Sequence, residues 1–335
     1  MSLFPVHPKP HRDEVLTSWV IRLAKANGLK LQAFSRIVFE GSADLWNRDI
    51  DRKPYDWLLT ELAARTNCSK TEIYNLTLQS YKGKLFSHFH EVGVLKWILP
   101  LNIYHRKRKG FGQQYCSQCL KEDKEPYFRK HWRVALNTFC VKHNIMYRDR
   151  CPNCGYPVMF HRNELGKPRM FDGPKMCFCT TCEYDLRNSK KQNVKIFENE
   201  SFEMFSELLS SLQNSEKLSL DVEYLAVLRQ FCKLINSKVT GYKICDYLIK
   251  HLSLTKKLIS PSYMPFENSE VLHRHYTIQM ATWILYDWKL RLKLLNRNKV
   301  IRFNYLAKDF SNPPEWYFSF IEAFNRNRVN LILNN

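Results

Sequence analysis

Apolar residues recur at helical spacing along most of the chain. Val15, Leu16, Trp19, Val20 and Leu23 form one stripe, the pattern of a helix face turned to a core. Asp13 stands where an N-cap belongs, and Asn27-Gly28 follows where helices commonly stop. A second helix is expected from about Leu31 to Phe39, ending near Gly41. Pro54 opens a third, with Trp57, Leu58, Leu62 and Ala63 on its inner face. After a break at Thr66-Asn67-Cys68, Ser69-x-x-Glu72 forms a capping box. It predicts a helix through Ile73, Leu76 and Leu78.

From about residue 201 the stripes return. Phe202, Phe205, Leu208, Leu209 and Leu212 make one, and Leu225, Leu228, Phe231, Cys232 and Ile235 another. A loop with Pro261 and Pro265 precedes a long helix expected over Ser269 to Leu295. Its end is basic: Lys289, Arg291, Lys293, Arg297, Lys299 and Arg302. Pro313-Pro314 starts a last helix through Trp316, Phe320 and Phe324.

Between these helical ends the pattern changes to paired ligands. Cys116-x2-Cys119 is followed by Cys140-x2-His143, then Cys151-x2-Cys154 and Cys179-x2-Cys182. Each pair places two soft donors on one tight knuckle, and two knuckles complete a tetrahedral zinc site. The first set has three cysteines and a histidine, the second four cysteines. Neither keeps an open position or a carboxylate base, so two structural Zn2+ ions are expected. Cys177 could replace Cys179, but Cys179 makes the CxxC with Cys182. His131 and His161 lack the spacing of ligands. Cys68, Cys232 and Cys245 read as buried thiols.

The fold class that follows is mainly α. An N-terminal helical domain is expected over 1–100, a double zinc-knuckle region over 101–195 and a C-terminal helical domain over 196–335. The opening residues hold prolines and no apolar core, so no signal peptide is expected. No apolar run approaches the roughly 18 residues of a membrane span. The expectation is a soluble protein of the bacterial cytoplasm, associated with the nucleoid when bound to its target.

Charge adds a class of partner. The formal net charge is +20, and residues 101–200 hold 20 Lys/Arg against 10 Asp/Glu. Codon bias toward Lys and Asn accounts for part of such an excess, but not for Arg106-Lys107-Arg108-Lys109 in one run. Such a field attracts polyanions, most plausibly nucleic acid. The run Tyr127 to Arg133 interleaves aromatics with cations, a pattern that suits nucleic acid or a protein groove. Its ordinary alternative is core aromatics with solvated charges, preferred for Trp132. Sequence-blind phosphate contacts are expected from Arg106, Lys107, Arg108, Lys109, Arg129 and Lys130. The two short helices around Cys68 have the form of a helix-turn-helix, or equally of an ordinary helical hairpin. In the first case Lys70, Thr71, Tyr74 and Asn75 face a groove or a phosphate backbone. No GxxxxGK[ST] loop and no acidic two-metal constellation is present, which points to a non-catalytic protein rather than an enzyme.

The order of these stretches resembles the TniQ family, which includes TnsD. Pro8-Lys9-Pro10, Asp13-Glu14, Leu16, Ser18-Trp19, Arg22, Ala24 and Asn27-Gly28 are similar to its opening. Residues 48–81 resemble its helical segment. Tyr115-Cys116 to Trp132-Arg133 and Cys140-x2-His143 resemble its first zinc site, and Cys151-Pro152-x-Cys154 with the later CxxC its second. The likeness is good over 1–185 and weak beyond. It implies target selection in Tn7-like transposition. Members join a target-recognising partner to the AAA+ ATPase TnsC. Those of CRISPR-associated transposons bind an RNA-guided Cascade ribonucleoprotein, some as homodimers. TnsD-type members read an attachment site on DNA. The chain is nearer in length to the Cascade-binding class. A zinc-bearing DNA-binding regulator is the rival from another class.

Overall fold

The computed structural model describes residues 2–39, 43–104, 107–108, 110–163, 176–214, 221–254 and 259–333. Within them the chain is mainly helical. Helices α1 (Leu16–Ala26), α2 (Leu31–Val38), α3 (Asp56–Thr66) and α4 (Lys70–Tyr74) come first. Two small antiparallel hairpins flank α5 (Ser117–Glu122): β1 (Ile103–Tyr104) pairs with β2 (Lys107–Arg108), and β3 (Phe139–Cys140) with β4 (Ile145–Met146). Helices α6 (Asn199–Gln213), α7 (Val222–Asn236), α8 (Gly241–His251), α9 (Val271–Tyr286), α10 (Trp288–Arg297), α11 (Phe303–Ala307) and α12 (Glu315–Leu333) follow. The chain divides into two compact units. One is Met1–Lys82 with His88–Val194, the other Gly83–Ser87 with Lys195–Asn335.

In the first unit α1 is buried from Leu16 to Ala24. Its N-terminus corrects one expectation, because Asp13 does not cap it. The orphan amides are answered from distant sequence instead. Leu16 N donates to Leu76 O at 3.1 Å, and Thr17 N to Asp51 Oδ1 at 2.7 Å. Val15 N donates to Phe128 O at 2.9 Å. Asp13 is drawn elsewhere: Tyr127 Oη donates to its carboxylate at 2.9 Å, and Arg129 Nε lies 3.5 Å away. A helix end so deeply covered needs donors and acceptors brought by the fold, since no water reaches it.

Asp51 is in turn held by Arg133, which is fully buried. The guanidinium reaches Asp49 at 2.6 Å and Asp51 at 3.4 Å, and donates to Leu99 O at 3.1 Å. One cation thus joins α1, the loop after α2 and the segment between the first ligand pairs. A second buried pair stands nearby. Arg22 Nη1 bonds Glu14 at 2.7 Å, and Ser18 Oγ and His11 N also donate to that carboxylate. Burial pushes Glu14 up to about 7, against the opposing pull of Arg22, Ser18 and the His11 amide. Trp19 Nε1 donates to Pro8 O at 2.8 Å, which ties the proline leader down.

The Ser69–Glu72 capping box is present in full and starts α4. The helix is shorter than expected: it stops at Tyr74, and a 3-10 turn over Leu78–Tyr81 follows. The reason is tertiary. Leu76 O must reach Leu16, and Leu78 N donates to Asp51 O at 2.7 Å. A continued helix would keep both groups for itself. Asn67 turns the chain between α3 and α4 in the left-handed region, where asparagine is among the better-tolerated residues.

In the second unit α6 and α7 pack on α9, which is buried on nearly every side. Its buried polar groups have partners. His275 and Gln279 both bond Lys195 O, at 2.9 and 2.8 Å, and Phe197 N donates to Gln279. Burial holds His275 down at about 4. The single long helix expected over Ser269 to Leu295 is two helices, broken at Asp287 with φ −124° and ψ 63°. The break lets Arg291 bond the Trp283 carbonyl, an orphan of the α9 end, and turns Trp288 onto Trp316 and Phe320.

Replacing Arg133 by Met leaves Asp51 in the core and the half-buried Asp49 without the guanidinium that meets them. A loss of about 3–5 kcal/mol of unfolding free energy is expected. Asp51→Asn in that background should recover part of it, read as a coupling energy from urea melts of the four proteins. Additive effects would show that the pair is not one unit.

Candidate metal centres

The eight ligand residues form two separate sets. Cys116, Cys119, Cys140 and His143 are one, and Cys151, Cys154, Cys179 and Cys182 the other; within each set the donor atoms lie within 4.8 Å of one another. No cysteine among the described residues is in a disulfide.

The first set is made by a helix start and a hairpin turn. Cys116 is the N-cap of α5, and its sulfur accepts from Cys119 N at 3.5 Å. Cys140 closes β3, and His143 sits in the turn before β4, with Asn144 at φ 49°. Cys119 Sγ and Cys140 Sγ are 3.7 Å apart. His143 Nδ1 stands 3.5, 3.4 and 3.3 Å from the sulfurs of Cys116, Cys119 and Cys140. An ion with metal–sulfur bonds of about 2.3 Å at tetrahedral angles separates its sulfurs by about 3.8 Å, the nitrogen edges being somewhat shorter. The observed edges fit that figure.

The other nitrogen of His143 decides the tautomer. Nε2 lies 2.8 Å from Glu122 Oε1. The carboxylate accepts that N–H, so the Nδ1 lone pair faces the sulfurs. Lys142 Nζ holds the same carboxylate at 2.6 Å. Sequence reasoning missed Glu122, although its place three residues after Cys119 on a helix was a usable signal. Bonding from Cys116 and Cys119 pulls the Cys140 thiol below the ordinary thiol range.

The second set is two copies of one knuckle. In Cys151-Pro152-Asn153-Cys154-Gly155-Tyr156, Cys151 N donates to Tyr156 O at 2.9 Å and Gly155 N to Cys151 O at 2.9 Å. In Cys179-Thr180-Thr181-Cys182-Glu183-Tyr184, Cys179 N donates to Tyr184 O at 2.8 Å and Glu183 N to Cys179 O at 3.0 Å. Gly155 and Glu183 occupy the same left-handed position, at φ 71° and 58°. Glycine accepts that geometry freely, while glutamate is strained there. The sulfurs of Cys151 and Cys182, and of Cys154 and Cys179, are each 3.6 Å apart. Asn153 bonding draws Cys182 down to about 6. Cys177 is buried and stands outside the set.

The expected nucleic-acid contacts fall in three groups. Lys70, Thr71 and Asn75 are exposed on or beside α4, with Tyr74 half-buried. Lys70 Nζ pairs with Asp56 at 2.7 Å, both side chains largely in solvent. Arg106 and Lys109 lie outside the described residues, and Lys107 and Arg108 are described as strand backbone alone. Arg129 and Lys130 are engaged within the fold. Arg129 holds Asp123 with two bonds, at 3.0 and 2.7 Å, and lies over the Tyr127 and Trp132 rings. Lys130 bonds Asn75 O and Ser80 Oγ and lies over Tyr81. Trp132 is fully buried, as the core reading expected.

Metal analysis should find about two ions per chain, one for each ligand set. Cys154 is exposed and Cys182 half-exposed, whereas the sulfurs of the first set are buried. A chelator should therefore strip the second centre first, seen as two release phases. Glu122→Ala should slow nothing at the second centre and weaken the first by about 10–100-fold. A single phase, unchanged in the variant, would contradict both statements.

No curated protein gives a significant match to the chain. No described helix is long and apolar enough to cross a membrane. The TniQ family model matches residues 5–146, from the leader clamped by α1 to the hairpin that completes the first centre. Over that stretch the chain carries a TniQ domain.

Proposed function

We propose that the protein is a non-catalytic target-selection adaptor of Tn7-like transposition, bridging an RNA-guided Cascade complex to the AAA+ ATPase TnsC. A TniQ domain implies a transposon-associated role in target selection. The observation that carries the reading is what the family-like residues do in this fold. Glu14, Ser18, Trp19, Arg22 and Arg133 are all buried in polar clamps. Each Cys/His set gathers four protein donors, the full number of a tetrahedral structural site. Such residues build a rigid body that holds partners; they perform no chemistry. Three thiolates with an imidazole, and four thiolates, are the donor sets of structural zinc, and we assign Zn2+ to both centres.

A second reading has one observation in its favour. The α3–α4 pair, with a left-handed Asn67 between the helices, leaves Lys70, Thr71 and Asn75 in solvent. That arrangement supports a helix-turn-helix and a TnsD-like protein that reads an attachment site. The basic run 106–109 is proposed as a phosphate contact in either case.

The test is a pull-down with purified Cascade and TnsC beside a DNA-binding assay. The adaptor should retain both partners and bind random and attachment-site duplexes alike, since guide pairing reads the sequence. Preference for one attachment sequence by about a thousandfold, without Cascade association, would establish the second reading in its place.

A further inference from the structure

The second unit carries a basic surface that the TniQ match does not reach. From Trp288 to Lys308 the chain has seven Lys/Arg and no Asp or Glu. Six of those cations are exposed: Lys289, Lys293, Arg297, Lys299, Arg302 and Lys308. The seventh, Arg291, folds back over the Trp283 ring at 4.0 Å and bonds its carbonyl, so it belongs to the core side. We propose that α10 and the turn after it bind the phosphate backbone of nucleic acid, through Lys289, Lys293, Arg297, Lys299 and Arg302.

Position carries the first part of the argument. Lys289, Lys293 and Arg297 are spaced by four residues along α10, so they share one face. The turn at the helix end folds the chain back. Val300 N donates to Leu295 O at 2.9 Å, and Asn296 Nδ2 to Ile301 O at 3.3 Å. Arg302 therefore leaves from the same end of α10 as Arg297 and Lys299. Lys289 to Arg297 spans about 12 Å at the helical rise. That length matches three or four base steps of duplex axis at about 3.4 Å of axial rise each.

Energetics carries the second part. Like charges four apart on one face destabilise a helix. Lys289 sits in the first turn of α10, where the helix dipole repels a cation. Among the described residues none of the five makes an ion pair with a carboxylate. The Nζ atoms of Lys289 and Lys293 lie 5.5 and 6.0 Å from the centroids of the Trp288 and Phe320 rings, at the edge of cation–π range, on residues that stay exposed. A dipole-complementing role covers Arg297 at the helix end and leaves Lys289 and Lys293 unexplained. A polyanion relieves the whole row.

The apolar face of α10 chooses between polyanions. Leu292 and Leu295 are fully buried in the unit. A helix that lies on a lipid surface must keep that face for the membrane. Here Leu292 and Leu295 are taken, and the exposed side keeps a single exposed leucine, Leu290, among its cations, too little apolar surface for a lipid-lying helix. The two amides among its cations are turned to the backbone, Asn296 Nδ2 to Ile301 O at 3.3 Å and Asn298 Nδ2 to Leu294 O at 2.8 Å, so the contact is sequence-blind.

The test uses the full chain with its metals bound and random-sequence 30-mers of duplex DNA, single-stranded DNA and RNA, without any partner. The variant is Lys289→Gln, Lys293→Gln, Arg297→Gln, Lys299→Gln and Arg302→Gln together. A control variant removes the same charge elsewhere: Lys82, Lys84, Lys121, Lys124 and Lys191, all exposed, each to Gln. Unchanged circular dichroism and metal content establish folding. The α10 variant should lose about tenfold or more at low salt, and its salt slope on duplex should become shallower by about 0.9 per lost contact, or about 0.7 on single strands. The control should lose less on both measures. Equal losses in the two variants would reduce the surface to net charge and overturn the proposal. Retained nucleic-acid binding in the α10 variant would overturn it too, as would wild-type protein that binds anionic phosphatidylglycerol vesicles and no nucleic acid. Neither result bears on Cascade or TnsC association, so this surface and the adaptor role stand or fall separately.

Discussion

One buried cation holds the first unit together. Arg133 comes from the segment between the first ligand pairs, and its carboxylates come from the chain after α2. Asp51 passes the constraint on, since it also accepts the amide and hydroxyl of Thr17 at the start of α1. A fully buried guanidinium is tolerable only if its charge is met in place. The three segments must therefore arrive together, and the start of α1, the end of α4 and the approach to the metal region are set by one another.

The metal centres extend the same logic by different means. A region of very short strands and one-turn helices has few backbone ladders to hold it, although it buries Phe128, Trp132, Phe139, Met146 and Phe160. Its further geometry comes from the gathered ligand sets and from the amides wrapped around sulfur. In the first centre the ligand hairpin lies in the same stretch as Arg133. In the second, two near-identical knuckles face each other, one with glycine and one with glutamate at the left-handed position. Rigidity so built suits the adaptor role proposed above. Exposed cations lie on α4 and on α10, in different units.

Much of this was legible in the residues. The ligand spacing names both metal sets, because a knuckle is a local structure and its sequence is its geometry. The stripes of α1, α6 and α7 name their helices, since period and burial are tied along a single element. The Ser69–Glu72 box marks the start of α4 for the same reason: its bonds close within four residues. The basic end of α10 is equally plain in sequence, though its exposure is not.

What the sequence left open depends on groups far apart in the chain. Asp13 has every local mark of an N-cap, yet its carboxylate goes to Tyr127 and Arg129, while Asp51 answers α1 from 34 residues away. Arg129 and Lys130 look like free cations and are enclosed by Asp123, Ser80 and the chain at Asn75. The helix expected to run through Asp287 breaks there, because Arg291 and Trp288 have partners that only the folded unit supplies. Local bonding and periodicity are written in neighbouring residues and can be read from them. Buried charge is different: its cost is set by whatever surrounds it, and those surroundings exist only once the chain has folded.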